Sequence, residues 1–403
     1  MLADLSCFIA PVQGQGGSLA TPGELTHSER IGLLEALAQV PDPRKRQGRR
    51  HPILGLLAGI LTALLCGARS LVEISEVIEA LTPQQRRRLG LTRPEAPSRA
   101  TIRRILILVD ADELQKALTR WALGRLEPLP GVLRHWAVDG KSSRGAAAPG
   151  EAKPHHMCAL DTGAGVVVNQ VEVGAKTNEI PMFKPLLLQV KTMLKNVVIT
   201  ADAMHVQSAH AVFLHEHDAG LLATVKANQP KLLTHLKNLP WAQIPIAVDD
   251  TEPARHGRIE RRVTKVTTDA RGLPFAHAHQ AVQTTRYQRV TGKKGRRYWK
   301  KTDTAYTIAT LPAEILTAHL IAAYIRAHWA VESLHWLRDV TMGEDANKTR
   351  TGHAPRNLAA LHNTVISIHH NTGTTRIAKT LRAAARNPEH AINHLTRENT
   401  TMN

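Results

Sequence analysis

The stretch VVITADAMHVQSAH, residues 197–210, places an acidic residue directly after a short buried strand. Its first residues are apolar and β-branched, which predicts the strand, and a helical stretch follows from near His205. Ligands in α/β sheets bind beyond the carboxyl ends of the strands, and Asp202 stands at that place. Asp is also a favoured N-cap residue of helices. Taken alone, Asp202 therefore fits either a functional site or a helix cap.

The segments around this stretch predict an α/β fold built on a mixed sheet. Strands are predicted at 132–140, 155–162, 165–174, 197–201 and 220–227, with helices at 181–194 and 206–217. The first strand, VLRHWAVDG, ends in Asp139, and the second and third form a hairpin. This order of segments predicts a five-stranded sheet, arranged 3-2-1-4-5, with the first strand in the middle.

Two carboxylates then follow neighbouring strands. In that sheet the first and fourth strands lie about 5 Å apart, so Asp139 and Asp202 would face each other. Bare carboxylates at this separation repel each other, and Mg²⁺, which takes oxygen ligands, removes the conflict. With one further carboxylate, such a site could hold two ions for an in-line phosphoryl transfer. The spacing therefore predicts that Asp139 and Asp202 are catalytic metal ligands.

The third acid is expected on a later helix. Its candidates are Glu332, Asp339, Glu344 and Asp345. Glu332 is favoured because it lies in the helical stretch HWAVESLHW, among large apolar rings where a charge is costly without a partner. His328, four residues earlier, is expected on the same helical face. The other acids are alternatively solvated side chains or helix caps.

Composition indicates the partner and the compartment. The chain has 403 residues, a formal charge of +18 and a pI of about 10.2. A protein this basic usually binds a polyanion, and the spread of its basic residues favours nucleic acid over a membrane. Three cysteines without metal-ligand spacing favour a reducing compartment, as for a cytoplasmic protein. Structural zinc and small-molecule cofactors are not expected, and the apolar run at 53–68 is too short for a membrane span.

The chain is expected to contain several parts beside the sheet. They are a disordered tail at 1–27, a helical N-terminal domain at 28–125, the first part of the catalytic core at 132–229, a β-rich insertion at 230–311, helices with the third acid at 312–375, and a C-terminal helical tail at 376–403. The insertion thus interrupts the core before its last catalytic helix. Within the helical domain, Ser98 is a candidate N-cap of an arginine-rich helix. That domain fits a DNA-binding helix-turn-helix or a plain helical bundle.

Several basic, polar and aromatic residues are candidate DNA contacts. The segment KKGRRYWKK, 293–301, combines phosphate-neutralising cations with rings that can stack on unpaired bases; alternatively it is an exposed hairpin tip kept soluble by charge. The candidates are Lys141, Lys176, Asn178, Lys226, Asn228, Arg258, Arg296, Arg297, Tyr298 and Trp299. For Lys141 the alternative is a surface lysine, and for Asn178 it is a turn residue.

Five blocks together resemble a known family. They are AVDGKSSRG (137–145), KTNEIP (176–181), TADAMHVQSAH (200–210), VKANQP (225–230) and HWAVESLHWLRDVTMGEDA (328–346). In collinear order over about residues 30–370, they are similar to the ISAs1-type, or H-repeat-associated, DDE transposases, and residues 37–74 resemble the helical domain that precedes the catalytic domain there.

The resemblance implies an RNase H-like catalytic fold, Mg²⁺ or Mn²⁺ as cofactor, and DNA cleavage and strand transfer at insertion-sequence ends. It places the acidic triad on Asp139, Asp202 and Glu332. It further implies double-stranded DNA partners, namely terminal repeats and target DNA, and a homodimer or higher assembly on that DNA.

The sequence departs from the related IS4 group at two positions. That group has an Arg before the catalytic Glu and a Lys after it, whereas here His328 and Asp339 stand at or near those places. His328 itself, or Arg326, Arg338 or Lys348, is expected to contact phosphate instead.

Two rival functions remain at this stage. A nuclease of the same fold would cut DNA without strand transfer, and a repressor or domesticated transposase remnant would bind DNA without cutting it. The presence of all three acids and of the long insertion favours the transposase.

Overall fold

The computed structural model describes residues 32–126, 131–147, 150–175, 177–252, 258–270, 272–292, 295–374 and 376–396. The expected disordered tail at 1–27 and the candidate contact Lys176 lie outside these ranges.

Helices occupy both ends of the chain. The first group is α1 (Leu33–Ala38), α2 (Ile53–Leu65), α3 (Leu71–Ala80), α4 (Pro83–Arg88), α5 (Arg99–Leu108) and α6 (Ala111–Leu123). Later helices are α7 (Glu179–Leu188), α8 (Ser208–His215), α9 (Pro230–Asn238), α10 (Ala318–Ala327), α11 (Trp329–Trp336), α12 (Ala354–Asn371), α13 (Ile377–Arg386) and α14 (Glu389–Thr396). Ser98 caps α5 as predicted, because its hydroxyl accepts a hydrogen bond from the Thr101 amide at 3.3 Å. The domain boundaries and the helix-turn-helix hypothesis stay predictions.

The strands form a mixed sheet. They are β1 (Arg134–Ser142), β2 (His155–Asp161), β3 (Val166–Val173), β4 (Val197–Ala201), β5 (Gly220–Val225), β6 (Val248–Thr251), β7 (Glu260–Thr267), β8 (Gln280–Thr291) and β9 (Arg297–Ala309). In the described part of the chain their order is β3-β2-β1-β4-β5-β9-β8-β7-β6. β1, β4 and β5 are parallel neighbours, and β2 and β3 form the predicted hairpin.

The prediction of a five-stranded sheet was wrong in the number of strands. The predicted order 3-2-1-4-5 is present, but the sheet continues, because β9 pairs antiparallel with β5 from Leu222–Ala309 to Val225–Tyr306. An open edge at β5 would leave backbone amides and carbonyls unpaired, and the strands of the insertion supply their partners. The insertion therefore extends the sheet, and it also includes helix α9, which the sequence analysis missed.

By their contacts, the described residues fall into two compact units. One comprises the described parts of 1–130, 140–182 and 330–403, and the other comprises 131–139 and 183–329.

The first unit has a core of helices. Every residue of α2 from Gly55 to Leu65 is buried, and α2 contacts α1, α3, α5 and α12–α14. A helix surrounded in this way is apolar on all sides, which explains the run at 53–68. None of the helices in the described ranges combines the length and hydropathy needed to cross a membrane.

The second unit has its core between the sheet and α10. Val198 of β4, Leu222 of β5, Val282 of β8 and Ala309 of β9 are buried together with Ile321 and Tyr324 of α10. The alternation of β-branched and polar residues along β7 and β8 predicted half-covered strands, but the burial of β8 does not alternate. Most of its residues from 280 to 285 are buried, whereas those from 286 to 291 are half-buried or exposed.

Candidate active site

The carboxyl ends of β1 and β4 bring two predicted acids side by side. The strands are parallel, and their last paired residues are Val138 and Ala201. Asp139 and Asp202 are therefore the next residues on two adjacent strands, whose backbones lie about 4.8 Å apart. Asp202 is exposed and Asp139 is half-buried. The register thus places both carboxylates at one edge of the second unit.

The helix-cap alternative for Asp202 is not supported. A single 3₁₀ turn, Ala203–His205, follows this residue, and the Asp202 side chain makes no capping hydrogen bond to it. This turn is stabilised by another residue, because the side-chain amide of Asn228 donates a hydrogen bond to the Ala203 carbonyl at 2.8 Å. The Asp202 carboxylate is therefore not used to terminate a helix.

A hydrogen-bonded chain of side chains lies beside these acids. The Thr200 hydroxyl contacts His135 Nε2 at 2.8 Å and His328 Nδ1 at 2.9 Å. His135 is buried and stacks on Tyr324 with ring centroids 4.6 Å apart. Burial, aided by the nearby His328, lowers the pKa of His135 to about 3, so this ring is neutral at pH 7. The chain fixes His328, which follows α10, against β4.

The predicted third acid, Glu332, lies in α11 of the first unit and is exposed. It is not buried among large rings as expected, since Trp329 and Trp336 are themselves 51% and 37% exposed. The buried side of α11 is formed instead by Val331 and Leu334.

A buried ion pair follows α11. The chain continues as a π-helical turn, Leu337–Thr341, in which Arg338 is fully buried. Its guanidinium donates to both carboxylate oxygens of Glu344, at 2.7 and 2.6 Å, and to Asn363 at 3.3 Å. Burial opposes the charge of Glu344, but Arg338 and a hydrogen bond with His362 outweigh it and hold the pKa of this carboxyl well below its usual range.

The remaining candidate acids also have partners in the first unit. Asp339 lies 2.5 Å from Lys141 Nζ, and Asp345 accepts a hydrogen bond from the Arg144 amide at 3.0 Å. Lys141 is only 6% exposed. Of the four candidates for the third acid, Glu332 is therefore the exposed one, and the other three are engaged in the packing of this unit.

A second hydrogen-bonded chain lies against the residue after Asp139. Glu179 contacts His155 Nε2 at 2.8 Å, and His155 Nδ1 contacts the Ser142 hydroxyl at 2.8 Å. A Cβ on Gly140 would overlap both Glu179 and His155. Close approach to the backbone is possible only at glycine, which explains the residue type that follows Asp139.

The metal-binding capacity of these residues is limited to oxygen donors. In the described ranges, no group of three or more His, Cys, Asp or Glu side chains is close enough to hold a metal ion. The strand ends alone supply two carboxylates. Such a pair suits Mg²⁺, which is usually bound by one or two carboxylates and keeps waters or phosphate oxygens in its other positions.

Comparison with known families decides the assignment. Residues 34–122 match the family described as DDE_Tnp_1-associated, and residues 106–368 match the family described as Transposase DDE domain. The chain belongs to the transposase DDE domain family.

Two curated proteins and one solved structure are among those similar to this chain. A protein of Escherichia coli O157:H7 named "Putative transposase YncI" is 28% identical over 357 residues, 83% of this chain and 86% of that protein. "Putative protein YbfL" of Escherichia coli strain K12 is 25% identical over 354 residues, 83% of this chain and 89% of that protein. Among solved structures, a piggyBac transposase synaptic complex with hairpin DNA aligns with a TM-score of 0.42 and 13% identity, over 93% of this chain and 80% of that one. The homology supports a transposase function.

In this DDE-family chain, two predicted phosphate contacts have other roles. Arg338 is fully buried against Glu344, so it cannot reach DNA in this conformation. Lys141 is buried beside Asp339. The sequence analysis took both side chains for exposed cations. It could not see the partner of Lys141, because Asp339 lies about 200 residues further along the chain. It also missed the partner of Arg338, because Glu344 lies beyond a turn. Contact of these two side chains with DNA stays a prediction, and their burial in ion pairs speaks against it.

Two other predicted DNA contacts, Arg326 and Asn178, have partners within their own units. Arg326 bridges Asp250 and Glu252 at 2.8 Å each, and the Asn178 side chain accepts a hydrogen bond from the Ile180 amide. The latter is the turn role that was the alternative for Asn178. Lys226 is exposed after β5. DNA contact by these residues, by Asn228 and by His328 stays a prediction.

The basic and aromatic segment, 293–301, spans the connection of the hairpin formed by β8 and β9 and the first residues of β9, and its residues 293 and 294 lie outside the described ranges. β9 begins at Arg297, so Tyr298 and Trp299 are strand residues, opposite Val290 and Arg289 of β8. Successive strand residues point to opposite faces, so Trp299 lies on a different face from Tyr298. Tyr298 is 51% exposed, and Arg258 and Arg296 are exposed as well. Their contact with DNA stays a prediction.

The sequence analysis missed several residues of this region. No sequence pattern indicated the hydrogen-bonded side chains of Thr200, His135, His155 and Ser142. A hydrogen bond between distant segments leaves no pattern in the sequence. Glu344 was considered as a metal ligand, a solvated acid or a helix cap, but not as a partner of Arg338. The one available hint was Gly343, whose left-handed backbone (φ of 68°) forms the turn that returns Glu344 to Arg338.

Proposed function

We propose that this chain is the transposase of an ISAs1-type insertion sequence, with an RNase H-like catalytic core. It cleaves DNA at the ends of the element and joins the freed strands to target DNA, as a dimer or higher assembly. Asp139, Asp202 and Glu332 hold divalent ions, Mg²⁺ or Mn²⁺, at the catalytic site. The family assignment and the relationship to the transposase-named protein support the reaction class.

The observation that carries this proposal is the register of β1 and β4. It sets Asp139, which lies within β1, and Asp202, which directly follows β4, next to each other beyond the last residue pair, Val138 and Ala201, and Asp202 makes no capping hydrogen bond that would explain its place. Oxygen ligands from two such carboxylates suit Mg²⁺.

The choice of Glu332 as the third ligand is supported by the exposure of its side chain, since the other three candidates are buried or half-buried. Glu344 is spent on a buried ion pair, Asp339 is paired with Lys141, and Asp345 accepts a backbone hydrogen bond. Glu332 is the exposed candidate, in a helix whose opposite side is buried. A rigid helix suits a ligand that must keep a fixed geometry.

The chain's own residues then bind and orient the DNA. When bound at these carboxylates, divalent ions would activate the attacking oxygen and stabilise the leaving oxygen of an in-line phosphoryl transfer. The Thr200–His135–His328 chain keeps His328 in place beside β4. The exposed cations at the start of β9 neutralise phosphates.

The test is a cleavage and strand-transfer assay with DNA that flanks the gene of this protein. Wild type is expected to nick and join this DNA with Mg²⁺ and to do neither with EDTA. Asp202→Asn should lower the rate by roughly 10²–10³, the range for removal of a group that stabilises a transition-state charge. Asp218→Asn is the matched control, because Asp218 is an exposed acid of the same unit whose nearest cation, Lys195, is 4.0 Å away.

Three outcomes would contradict the proposal. Equal activity of wild type and Asp202→Asn would refute the catalytic site. Cleavage without strand joining would favour a nuclease. Binding without cleavage, in the presence of Mg²⁺ or Mn²⁺, would favour a repressor or a transposase remnant.

A further inference from the structure

A strongly basic loop connects α1 and α2. It comprises residues 41–52, with the sequence PDPRKRQGRRHP, and is called the basic loop below. Lys45, Arg46, Arg49 and Arg50 are exposed, which places four cations on the surface within six residues. The only short helical element in it is a 3₁₀ turn at Arg46–Gly48.

One buried arginine holds the basic loop in a defined shape. Arg44 is only 7% exposed. Its guanidinium donates to both oxygens of the Asp42 carboxylate, at 2.9 and 2.8 Å, and to the His51 carbonyl at 2.6 Å. The two ends of the loop are thereby tied together. The exposed cations between them are presented on a fixed backbone.

The acid in the basic loop is already neutralised internally. Asp42 accepts hydrogen bonds from the Arg44 backbone and side chain, and Arg49 Nε lies 3.6 Å from it. Partial burial opposes its charge, but these contacts prevail and lower the pKa of Asp42. Arg49 also donates to the Arg44 carbonyl at 2.8 Å. Asp42 therefore organises the loop and does not offset the outward charge of Lys45, Arg46 and Arg50.

The surroundings add a further cation. His51 is buried, and burial followed by the charges of Arg93, Arg44 and Arg50 lowers its pKa, against a smaller opposite effect of Glu95. Arg93 is exposed. Several like charges within a Debye length of about 8–10 Å repel one another, so this arrangement does not stabilise the fold. It is explained by a polyanionic partner.

We propose that the basic loop binds the phosphate backbone of double-stranded DNA, without reading the base sequence. This inference rests on the proposed function and assigns to this loop a part of the DNA contact. Duplex DNA presents one negative charge per ~1.7 Å of its axis, which suits several closely spaced cations on a rigid backbone. Arginine is the cation whose planar fork matches phosphate. The loop has no Phe, Tyr or Trp, and its one aromatic ring, His51, is buried, so it offers no surface for stacking on unpaired bases, which favours a duplex over a single strand.

The test is the binding of a fluorescent duplex by the full chain in EDTA, which prevents cleavage. Two duplexes of equal length are used, one from the flank of the gene and one of random sequence. The triple variant Lys45→Ala, Arg46→Ala and Arg50→Ala should weaken binding to both by roughly tenfold or more. It should also reduce the slope of log affinity against log salt by about three, about one for each cation lost.

The matched control is the triple variant Lys379→Ala, Arg382→Ala and Arg386→Ala. These cations are exposed on α13 of the same unit, and their removal changes the net charge equally. It should leave the salt slope within about one of wild type. Arg44→Ala keeps the four exposed cations but removes their anchor, so its binding should weaken while circular dichroism shows retained helices.

Each result has a distinct meaning. Wild-type affinity and salt slope in the first triple variant, with tight binding by wild type, would overturn the inference and leave the proposed function intact. An equal loss in the α13 variant would overturn it too. If wild type binds neither duplex, both the inference and the proposed function fail. Equal binding of polyglutamate by the basic loop, removed by the same triple variant, would replace DNA with an acidic polypeptide.

Discussion

The two groups of carboxylates in this protein differ in what surrounds them. Glu344 in the first unit is buried, receives two hydrogen bonds from Arg338 and is fully compensated. Asp202 in the second unit is exposed and stands beside Asp139 at the strand ends. The same chemical group is thus buried in an ion pair in one region and open to solvent in the other. An exposed acid next to a second acid is the arrangement that a ligand could use.

Arg338→Ala should cause the largest loss of stability. It leaves Glu344 charged and buried without its main partner, and removal of one member of a buried ion pair costs about 3–5 kcal/mol. The free energy of unfolding in urea measures the effect. Arg88→Ala is the matched control, since Arg88 pairs with Glu389 on the surface of the same unit and an exposed pair contributes about 1 kcal/mol or less.

The double variant Arg338→Met with Glu344→Gln tests the cause. It removes both charges at similar volume, so most of the lost stability should return. If the double variant is as unstable as Arg338→Ala, the loss comes from packing rather than from an uncompensated charge.

Gly140→Ala should have the next largest effect. The added Cβ overlaps Glu179 and His155, and crowding of a packed site costs about 1–3 kcal/mol. Gly163→Ala provides the control, because its Cβ meets only Asp161 at an ordinary 3.4 Å. Thermal unfolding of the two variants compares them directly, and equal midpoints would show that the side chains over Gly140 move aside.

His156 should make stability fall in acid. Its ring is buried, and burial followed by Arg338 lowers its pKa to about 3. Below pH 6.5 the unfolded chain binds a proton that the folded chain does not, until the pH approaches 3. Stability is therefore lost as the pH falls through this window, by about 1.4 kcal/mol per unit for this residue. Unfolding at pH 7 and pH 5 should show a smaller pH dependence in His156→Met, and an unchanged one in a variant of the exposed His390 would be the expected control result.

Asp202→Asn should have the smallest effect on stability, and the opposite sign. In EDTA it removes the repulsion between neighbouring carboxylates, which amounts to about 1 kcal/mol or less between charges near a surface. The melting temperature should rise slightly, whereas Asp218→Asn should not raise it. A marked loss of stability in Asp202→Asn would show that this carboxylate is compensated after all, as Glu344 is.

Local patterns in the sequence predicted much of the fold. The β-branched run before Asp202, the apolar helix α2 and the cap at Ser98 depend on neighbours within a few residues, and all three are present. The sheet continued past β5 because strand pairing joins segments about 85 residues apart, such as Leu222 and Ala309. Periodicity predicts that a segment is a strand, but not which edge it joins.

The order of residues alone predicts that Asp139 and Asp202 follow two strand segments, and the composition gives a large excess of basic residues. Which charged residues are available to a ligand depends on tertiary contacts. Arg338, Lys141 and Glu344 have the same residue types as exposed cations and acids, yet packing gives each of them a buried partner. The reason is physical: charge is a property of the residue, whereas desolvation and pairing depend on contacts between segments that are distant along the chain.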